Sequence, residues 1–165
     1  MRIVDMHCDT LIEGWRKPEK SFYDGDFSIN LKLLEENHSL CQFFAMYLSR
    51  NEMKTMDAYD ILKGIYGYYT KQMELHKDLI RPVYSVEEVL KNKEEGILSS
   101  LLTVEDGVFV DGKIERIQEI YDMGVRCLTL MWGYENSIGY PCMDDPEIHL
   151  KGLKPFGLEV VEKMN

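Results

Sequence analysis

The chain has 165 residues, of which 45% are hydrophobic and 29% charged, and its formal net charge is −10. This length and composition predict one folded domain with a hydrophobic core and exclude a disordered or fibrous chain. The excess of acidic residues argues against nucleic acid and anionic membranes as partners, because both would repel the chain.

The predicted elements alternate between strands and helices. Short apolar runs predict strands over residues 2–7, 40–48, 97–104 and 125–131. Apolar residues three and four positions apart predict helices over residues 57–76, 85–94, 114–121 and 155–164, whereas residues 13–37 are expected to form a long loop that ends in a short packed segment. The alternation favours parallel βα units, either in a doubly wound sheet or in part of a (β/α)8 barrel. No phosphate-binding glycine motif follows any predicted strand.

The cysteines and the N-terminal residues indicate in which cellular compartment the protein is expected. The four cysteines contain no Cys-x-x-Cys pair, so they are interpreted as reduced thiols of a cytoplasmic protein. The first residues include acids and a histidine where a signal peptide needs an apolar run. No apolar stretch is long enough to span a bilayer, so no membrane association is expected.

The first candidate site is formed by Asp5, His7 and Asp9. These residues alternate on the first predicted strand, so their side chains are expected on one side, near its C-terminal end. An imidazole and a carboxylate two residues apart can bind the same divalent cation. His-x-Asp is nevertheless a common pattern, and a surface turn with a hydrogen-bonded histidine is the competing interpretation.

Two further candidates follow later strands. Glu105 comes directly after the strand 97–104, where a carboxylate can either join a metal site or cap the next turn. Trp132, Tyr134 and Asn136 follow the strand 125–131 and can line a substrate pocket. Core packing of Trp132 and a turn role for Asn136 are equally compatible with the sequence.

In this order, the candidates resemble the N-terminal half of the membrane (renal) dipeptidase family, which are zinc peptidases of the amidohydrolase-like barrel superfamily. Five blocks across almost the whole chain carry the resemblance: Val4-Asp-Met-His-Cys-Asp-Thr-Leu11, Cys41-Gln-Phe-Phe-Ala-Met-Tyr47, Thr103-Val-Glu-Asp-Gly107, Gly124-Val-Arg-Cys-Leu-Thr-Leu130 and Gly152-Leu-Lys-Pro-Phe-Gly-Leu-Glu-Val-Val161.

The resemblance implies an α/β fold of the (β/α)8 TIM-barrel type, of which residues 1–165 would form roughly the first four βα units and no second domain. It implies that His7 and Asp9 bind a first zinc ion and that Glu105 bridges it to a second. It also implies cleavage of dipeptides by a metal-bound hydroxide. Asp5, one layer below, is expected to orient these ligands.

The chain departs from the family in two respects. Trp132 stands where some members have a histidine that contacts substrate, so the details of substrate binding are expected to differ. The family's remaining zinc ligands, its catalytic aspartate and its substrate-binding arginine would lie after Asn165. Two hypotheses follow: the first-metal half of a zinc dipeptidase, inactive alone, or a non-catalytic half-barrel that binds one metal or another chain. Open sheet edges predict a homo-oligomer or a complementing C-terminal half.

Overall fold

The computed structural model describes residues 2–165 as an open, all-parallel sheet with helices packed against it. The strands are β1 (Ile3–Asp5), β2 (Ser39–Tyr47), β3 (Ile80–Pro82), β4 (Leu98–Glu105) and β5 (Val125–Thr129). The helices are α1 (Thr10–Arg16), α2 (Leu31–Glu36), α3 (Ala58–Leu75), α4 (Val86–Glu95), α5 (Glu115–Asp122), α6 (Pro146–His149) and α7 (Pro155–Met164).

The strand order brings the C-terminal ends of three strands together. β2 lies between β1 and β4, while the other side of β4 pairs with β3 at its start and with β5 at its end. The register places Tyr47 opposite Glu105, and Glu105 opposite Thr129. This is the edge at which parallel α/β folds build their sites. Within residues 2–165, β1 and β5 each pair with a single strand and leave one edge unpaired.

The hydrophobic core lies between the sheet and the helices. Alternate residues of β2 and β4 point into it, as the two-residue period of a strand requires, and α3 contributes residues three and four positions apart. The main buried side chains of these three elements are Phe44, Met46, Leu102, Val104, Ile61, Leu62, Ile65 and Tyr69. The core therefore supports the middle of the sheet, directly beneath the ends of β2 and β4.

Most predicted elements are confirmed, but several differ. β5 ends at Thr129, two residues before the predicted end of that strand, and α6 was not predicted. β1 ends at Asp5, two residues before the predicted end of the first strand. Part of the predicted loop is helix α1, and the short strand β3 was not predicted. α1 is a product of tertiary packing: Leu11 is fully buried, and a Cβ added at Gly14 would overlap the ring of Tyr68 on α3. The close approach of the two helices requires a glycine at that position.

None of the helices described within residues 2–165 combines the length and the apolarity that crossing a bilayer demands.

Candidate metal centre

His7, Asp9 and Glu105 come together at the C-terminal edge of the sheet. His7 Nε2 lies 3.4 Å from Asp9 Oδ1 and 3.3 Å from Glu105 Oε2. One ligand atom from each residue lies within 4.8 Å of the other two. Within residues 2–165, this is the one group of three or more His, Cys, Asp or Glu side chains that converges in this way.

The spacing and chemistry of these three donors fit a divalent cation. In a tetrahedral zinc site with bonds of about 2.0–2.1 Å, neighbouring ligand atoms lie about 3.3 Å apart. The two distances from His7 Nε2 match this value. Imidazole nitrogens and carboxylate oxygens are both donor types that zinc binds in proteins. Half of the His7 side chain and 52% of the Asp9 side chain are exposed, so a cation can reach them from solvent.

The connection between β1 and α1 positions His7 and Asp9. β1 ends at Asp5, so the expected alternation of Asp5, His7 and Asp9 along one strand is wrong: the last two residues converge because the chain turns. Asp5 Oδ1 accepts a hydrogen bond of 3.3 Å from the backbone N–H of His7, which places Asp5 next to the candidate ligand. Asp9 is the N-cap residue of α1, yet its carboxylate accepts no capping hydrogen bond and stays available to a cation.

Other carboxylates surround Glu105 and shift its pKa. Partial burial raises the pKa of Glu105, the nearby His7 lowers it, and the carboxylate of Asp9 raises it again. A hydrogen bond with the indole of Trp132 lowers this pKa, and the carboxylate of Asp106 raises it. Two carboxylates close to each other repel, and a bound cation would neutralise that repulsion.

The residue after Glu105 fixes the end of β4. Asp106 is 2% exposed and has a positive φ of 83°. Its Oδ1 accepts hydrogen bonds of 3.0 Å from the backbone N–H of Val108 and 3.0 Å from Asn136 Nδ2. These bonds stabilise a backbone conformation that is uncommon for a residue with a side chain. The sharp turn therefore begins immediately after the candidate ligand.

An aromatic wall stands beside the three candidate ligands, formed by Tyr47, Trp132 and Tyr134. The ring centroids of Tyr47 and Trp132 are 5.3 Å apart, and those of Trp132 and Tyr134 are 6.0 Å apart. Trp132 is 42% exposed and Tyr134 47% exposed, so both rings face solvent rather than the core. The guanidinium of Arg50 stacks on Tyr134, 3.8 Å from its ring centroid.

Asn136 has a different environment from the two aromatic residues with which it was grouped. Its Nδ2 donates to Asp106 Oδ1 and to the carbonyl of Leu130, and its Oδ1 accepts from the backbone N–H groups of Ile138 and Gly139. The residue is 9% exposed. Of the two interpretations that the sequence left open, the structure supports the turn role, because the whole amide is bonded to the protein.

The sequence did not indicate three of the residues around the candidate ligands. Tyr47 lies one residue before the end of the predicted strand 40–48, so a search of strand ends like the one that selected Glu105 could also have selected it. Asp106 is followed by a glycine, a common signal of a turn, but its burial cannot be deduced from that signal. Arg50 carries no sequence signal, since its position depends on a contact with Tyr134 from a distant segment.

A parallel α/β sheet with a histidine and two carboxylates at its C-terminal edge defines a candidate metal-binding α/β protein. The sequence profile of the membrane dipeptidase family, peptidase family M19, matches residues 1–165. The chain belongs to this family. An uncharacterized dipeptidase of Schizosaccharomyces pombe is 27% identical over 114 residues, which are 68% of this chain and 25% of that protein.

Solved structures of metallopeptidases share the fold. A dipeptidase AC of family M19 superimposes with a TM-score of 0.85 at 19% identity, over 100% of this chain and 54% of its own. A metallopeptidase from Rhodobacter sphaeroides, bound to a phosphinate mimic of the dipeptide L-Ala-D-Ala, gives a TM-score of 0.84 at 17% identity, over 99% of this chain and 55% of its own. The chain therefore spans about half the length of these proteins, and its parallel sheet and helices fit a partial barrel of the same type.

Proposed function

We propose that the chain provides the first-metal half of a zinc-dependent dipeptidase site, with His7, Asp9 and Glu105 as metal ligands. The observation that carries the proposal is the convergence of these three donors, with spacings of 3.3 and 3.4 Å from His7 Nε2. Membership of the membrane dipeptidase family supports peptide hydrolysis as the reaction and dipeptides as the substrates. When bound, zinc supplies Lewis acidity, which polarises a peptide carbonyl and acidifies a water molecule.

The residues of this chain have distinct tasks in the proposed site. His7, Asp9 and Glu105 bind the cation, and Asp5 holds the backbone N–H of His7 in place. Glu105, between β2 and β5 in the sheet, has a second carboxylate oxygen that can serve a second zinc ion. The exposed rings of Trp132 and Tyr134 provide an apolar wall for a substrate side chain.

Zinc binding tests the proposed ligands. Isothermal titration of the 165-residue chain is expected to give one zinc ion per chain. His7→Ala, Asp9→Ala and Glu105→Ala should each lower the affinity about a hundredfold or more, since even residues outside the ligand shell contribute ten- to a hundredfold. His149→Ala is the matched control, because this histidine lies on α6 and outside the cluster. Zinc uptake that is the same in wild type and in all three ligand variants would contradict the proposed metal site.

Hydrolysis tests the second part of the proposal. Within residues 2–165, three metal-binding side chains converge. Two zinc ions with three or four protein ligands each need more ligands than these three. We therefore expect little or no turnover of a dipeptide by this chain alone, even with added zinc. Robust hydrolysis that disappears in His7→Ala would show that these residues suffice for activity.

The alternative, a non-catalytic half-barrel that associates with another chain, is supported by a separate observation. The edge strand β1 carries exposed apolar residues, with Ile3 41% and Val4 51% exposed. An open strand edge favours a partner at this place, either a second copy or a complementing half.

Sedimentation velocity tests the association. The wild-type chain is expected to sediment as a dimer or larger species, and Val4→Lys should shift it towards the monomer, because a buried lysine opposes pairing at the edge. Val86→Lys is the matched control, since Val86 is 70% exposed on α4. A wild-type monomer with a well-dispersed spectrum would contradict this proposal and leave the metal site unaffected.

A compartment with reduced thiols is consistent with both proposals. All four cysteines are free: Cys8 and Cys41 are buried, and Cys127 and Cys142 are exposed. Exposed free thiols persist most readily where the environment is reducing, which supports a cytoplasmic location.

A further inference from the structure

Two segments of the chain meet beside the candidate metal centre, and Asn136 lies between them. The ligand turn, residues 105–107, begins with Glu105 at the end of β4. The aromatic loop, residues 130–139, follows β5 and carries two rings of the aromatic wall. Asn136 Nδ2 donates hydrogen bonds of 3.0 Å to Asp106 Oδ1 in the turn and of 2.9 Å to the carbonyl of the first loop residue. One side-chain amide therefore joins the two segments.

The ligand turn and the aromatic loop pack too closely to admit a side chain at Gly107. The backbone N–H of Gly107 donates a hydrogen bond of 3.3 Å to the carbonyl of Leu130. A Cβ added at Gly107 would lie 2.8 Å from that carbonyl oxygen and would overlap the side chain of Ile138. A displacement of the loop would therefore move the turn as well, because close-packed segments transmit strain to each other.

The loop side of this contact is fixed by further bonds of Asn136. Its Oδ1 accepts hydrogen bonds of 2.8 Å from the backbone N–H of Ile138 and of 3.3 Å from that of Gly139. Its backbone carbonyl accepts one of 2.7 Å from Lys154 Nζ, which also pairs with Glu135 at 2.7 Å. Asn136 is 9% exposed, and both polar atoms of its amide are bonded to the protein. The residue therefore acts through the segments that it joins rather than by contact with a substrate.

The position of Glu105 matters because a metal site tolerates only small errors. Its Oε2 lies 3.3 Å from His7 Nε2, a spacing that fits two ligands of one zinc ion. Distances between a metal and its ligands must agree with their normal values to within about 0.2 Å. The indole of Trp132 forms a hydrogen bond with Glu105, so the aromatic loop touches this candidate ligand directly. The bonds of Asn136 fix both the residue after Glu105 and the loop that carries Trp132.

We propose that Asn136 is a positioning residue, which acts through Asp106 to hold Glu105 in place among the candidate ligands and to hold the aromatic wall against Glu105. The proposal rests on the metal site proposed above. It adds the residue that couples this site to the wall beside it.

Zinc titration of matched variants by calorimetry tests the proposal. Asn136→Ala should lower the zinc affinity about tenfold or more, the usual effect of removing a group that orients a metal ligand. Asp57→Ala removes the cap of α3 instead and should bind zinc like wild type. Asn136→Asp places a second carboxylate against Asp106 and should also weaken zinc binding. The double variant Asp106→Asn with Asn136→Asp restores an amide–carboxylate pair and should recover part of the affinity.

The emission of Trp132 is a second readout, which a purely structural role of Asn136 would leave unchanged. In a Trp15→Phe background, Trp132 is the one tryptophan of the chain. Zinc bound at Glu105 should change the emission of Trp132. Asn136→Ala should reduce that change at saturating zinc, because the wall and the ligand no longer keep their relative position.

Equal zinc affinities in wild type and Asn136→Ala, or an equal loss in Asp57→Ala, would overturn the role of Asn136. If Asn136→Ala does not fold, Asn136→Asp and the double variant decide: an affinity no higher in the double variant would overturn the proposal. A wild-type chain that binds no zinc contradicts the proposed metal site. In that case the metal-free emission of Trp132 decides the role of Asn136, and identical spectra in wild type and Asn136→Ala would overturn it.

Discussion

Asp9 and Asp106 occupy equivalent positions in two connections that carry candidate metal ligands. Each is the N-cap residue of a helical segment, α1 for Asp9 and the short 3-10 helix Gly107–Val110 for Asp106. The Asp106 carboxylate is buried and accepts hydrogen bonds from Val108 and Asn136. The Asp9 carboxylate is half exposed and caps nothing. One aspartate thus stabilises the structure, while the other leaves its carboxylate free for a ligand.

The largest expected effect on the free energy of unfolding comes from removing the buried carboxylate of Asp106. Asp106→Ala should lower the free energy of unfolding by about 2–4 kcal/mol, because it leaves the backbone N–H of Val108 and one of the two N–H groups of Asn136 Nδ2 without an acceptor. Urea denaturation followed by circular dichroism measures the change.

Asp106→Asn is the control for this change. It keeps an acceptor oxygen and a side chain that tolerates positive φ, so it should cost about 1 kcal/mol or less. A cost below about 1 kcal/mol for Asp106→Ala would mean that the hydrogen bonds of Asp106 do not stabilise the turn.

The second expected effect concerns Asp9. Asp9→Ala should change the free energy of unfolding of the metal-free chain by less than about 0.5 kcal/mol, because the carboxylate caps no helix. Asp57→Ala is the matched comparison: Asp57 caps α3 through a hydrogen bond of 2.9 Å from the N–H of Tyr59, and its loss should cost about 1 kcal/mol.

Added zinc should reverse the order of thermal stability of Asp9→Ala and Asp57→Ala. Wild type and Asp57→Ala are expected to gain thermal stability with added zinc, because a ligand that binds only the folded state stabilises it. Asp9→Ala should gain little. A metal-free Asp9→Ala chain that is destabilised as strongly as Asp57→Ala would show that Asp9 has a structural role after all.

The predictable part of the fold follows from local patterns. β2 and β4 are long apolar runs, and α3 has a regular apolar stripe, so the sequence alone predicts them. α1 and β3 were missed for different physical reasons. α1 contains Gly14, which is needed there because α1 packs closely against Tyr68 of α3. β3 has only three residues, too few to show an alternation of apolar and polar side chains.

The predictability of the site has a similar limit. The resemblance to a family named His7, Asp9 and Glu105 together, and they do converge, although the alternation along one strand that was expected to align the first two is absent. The role of Asn136 depended on which groups surround its amide, and composition cannot reveal those neighbours. Arg50 was missed because its partner Tyr134 is 84 positions away in the chain, and such pairings arise only in the folded structure.

The smallest expected effect concerns a third acid, Glu52, in the connection after β2 that also carries Arg50. A hydrogen bond from Arg16 holds the pKa of Glu52 at about 2, below its ordinary value of 4.5. Because the unfolded chain then binds more protons than the folded one in this range, the contribution of Glu52 is complete above pH 4.5 and is lost as the pH falls towards 2. Glu52→Gln should therefore flatten the dependence of the urea midpoint on pH within this window. Glu74→Gln, which removes an exposed pair with Lys77, should leave the slope as in wild type. Equal slopes in wild type and Glu52→Gln would mean that the Arg16–Glu52 pair does not anchor the segment that carries Arg50.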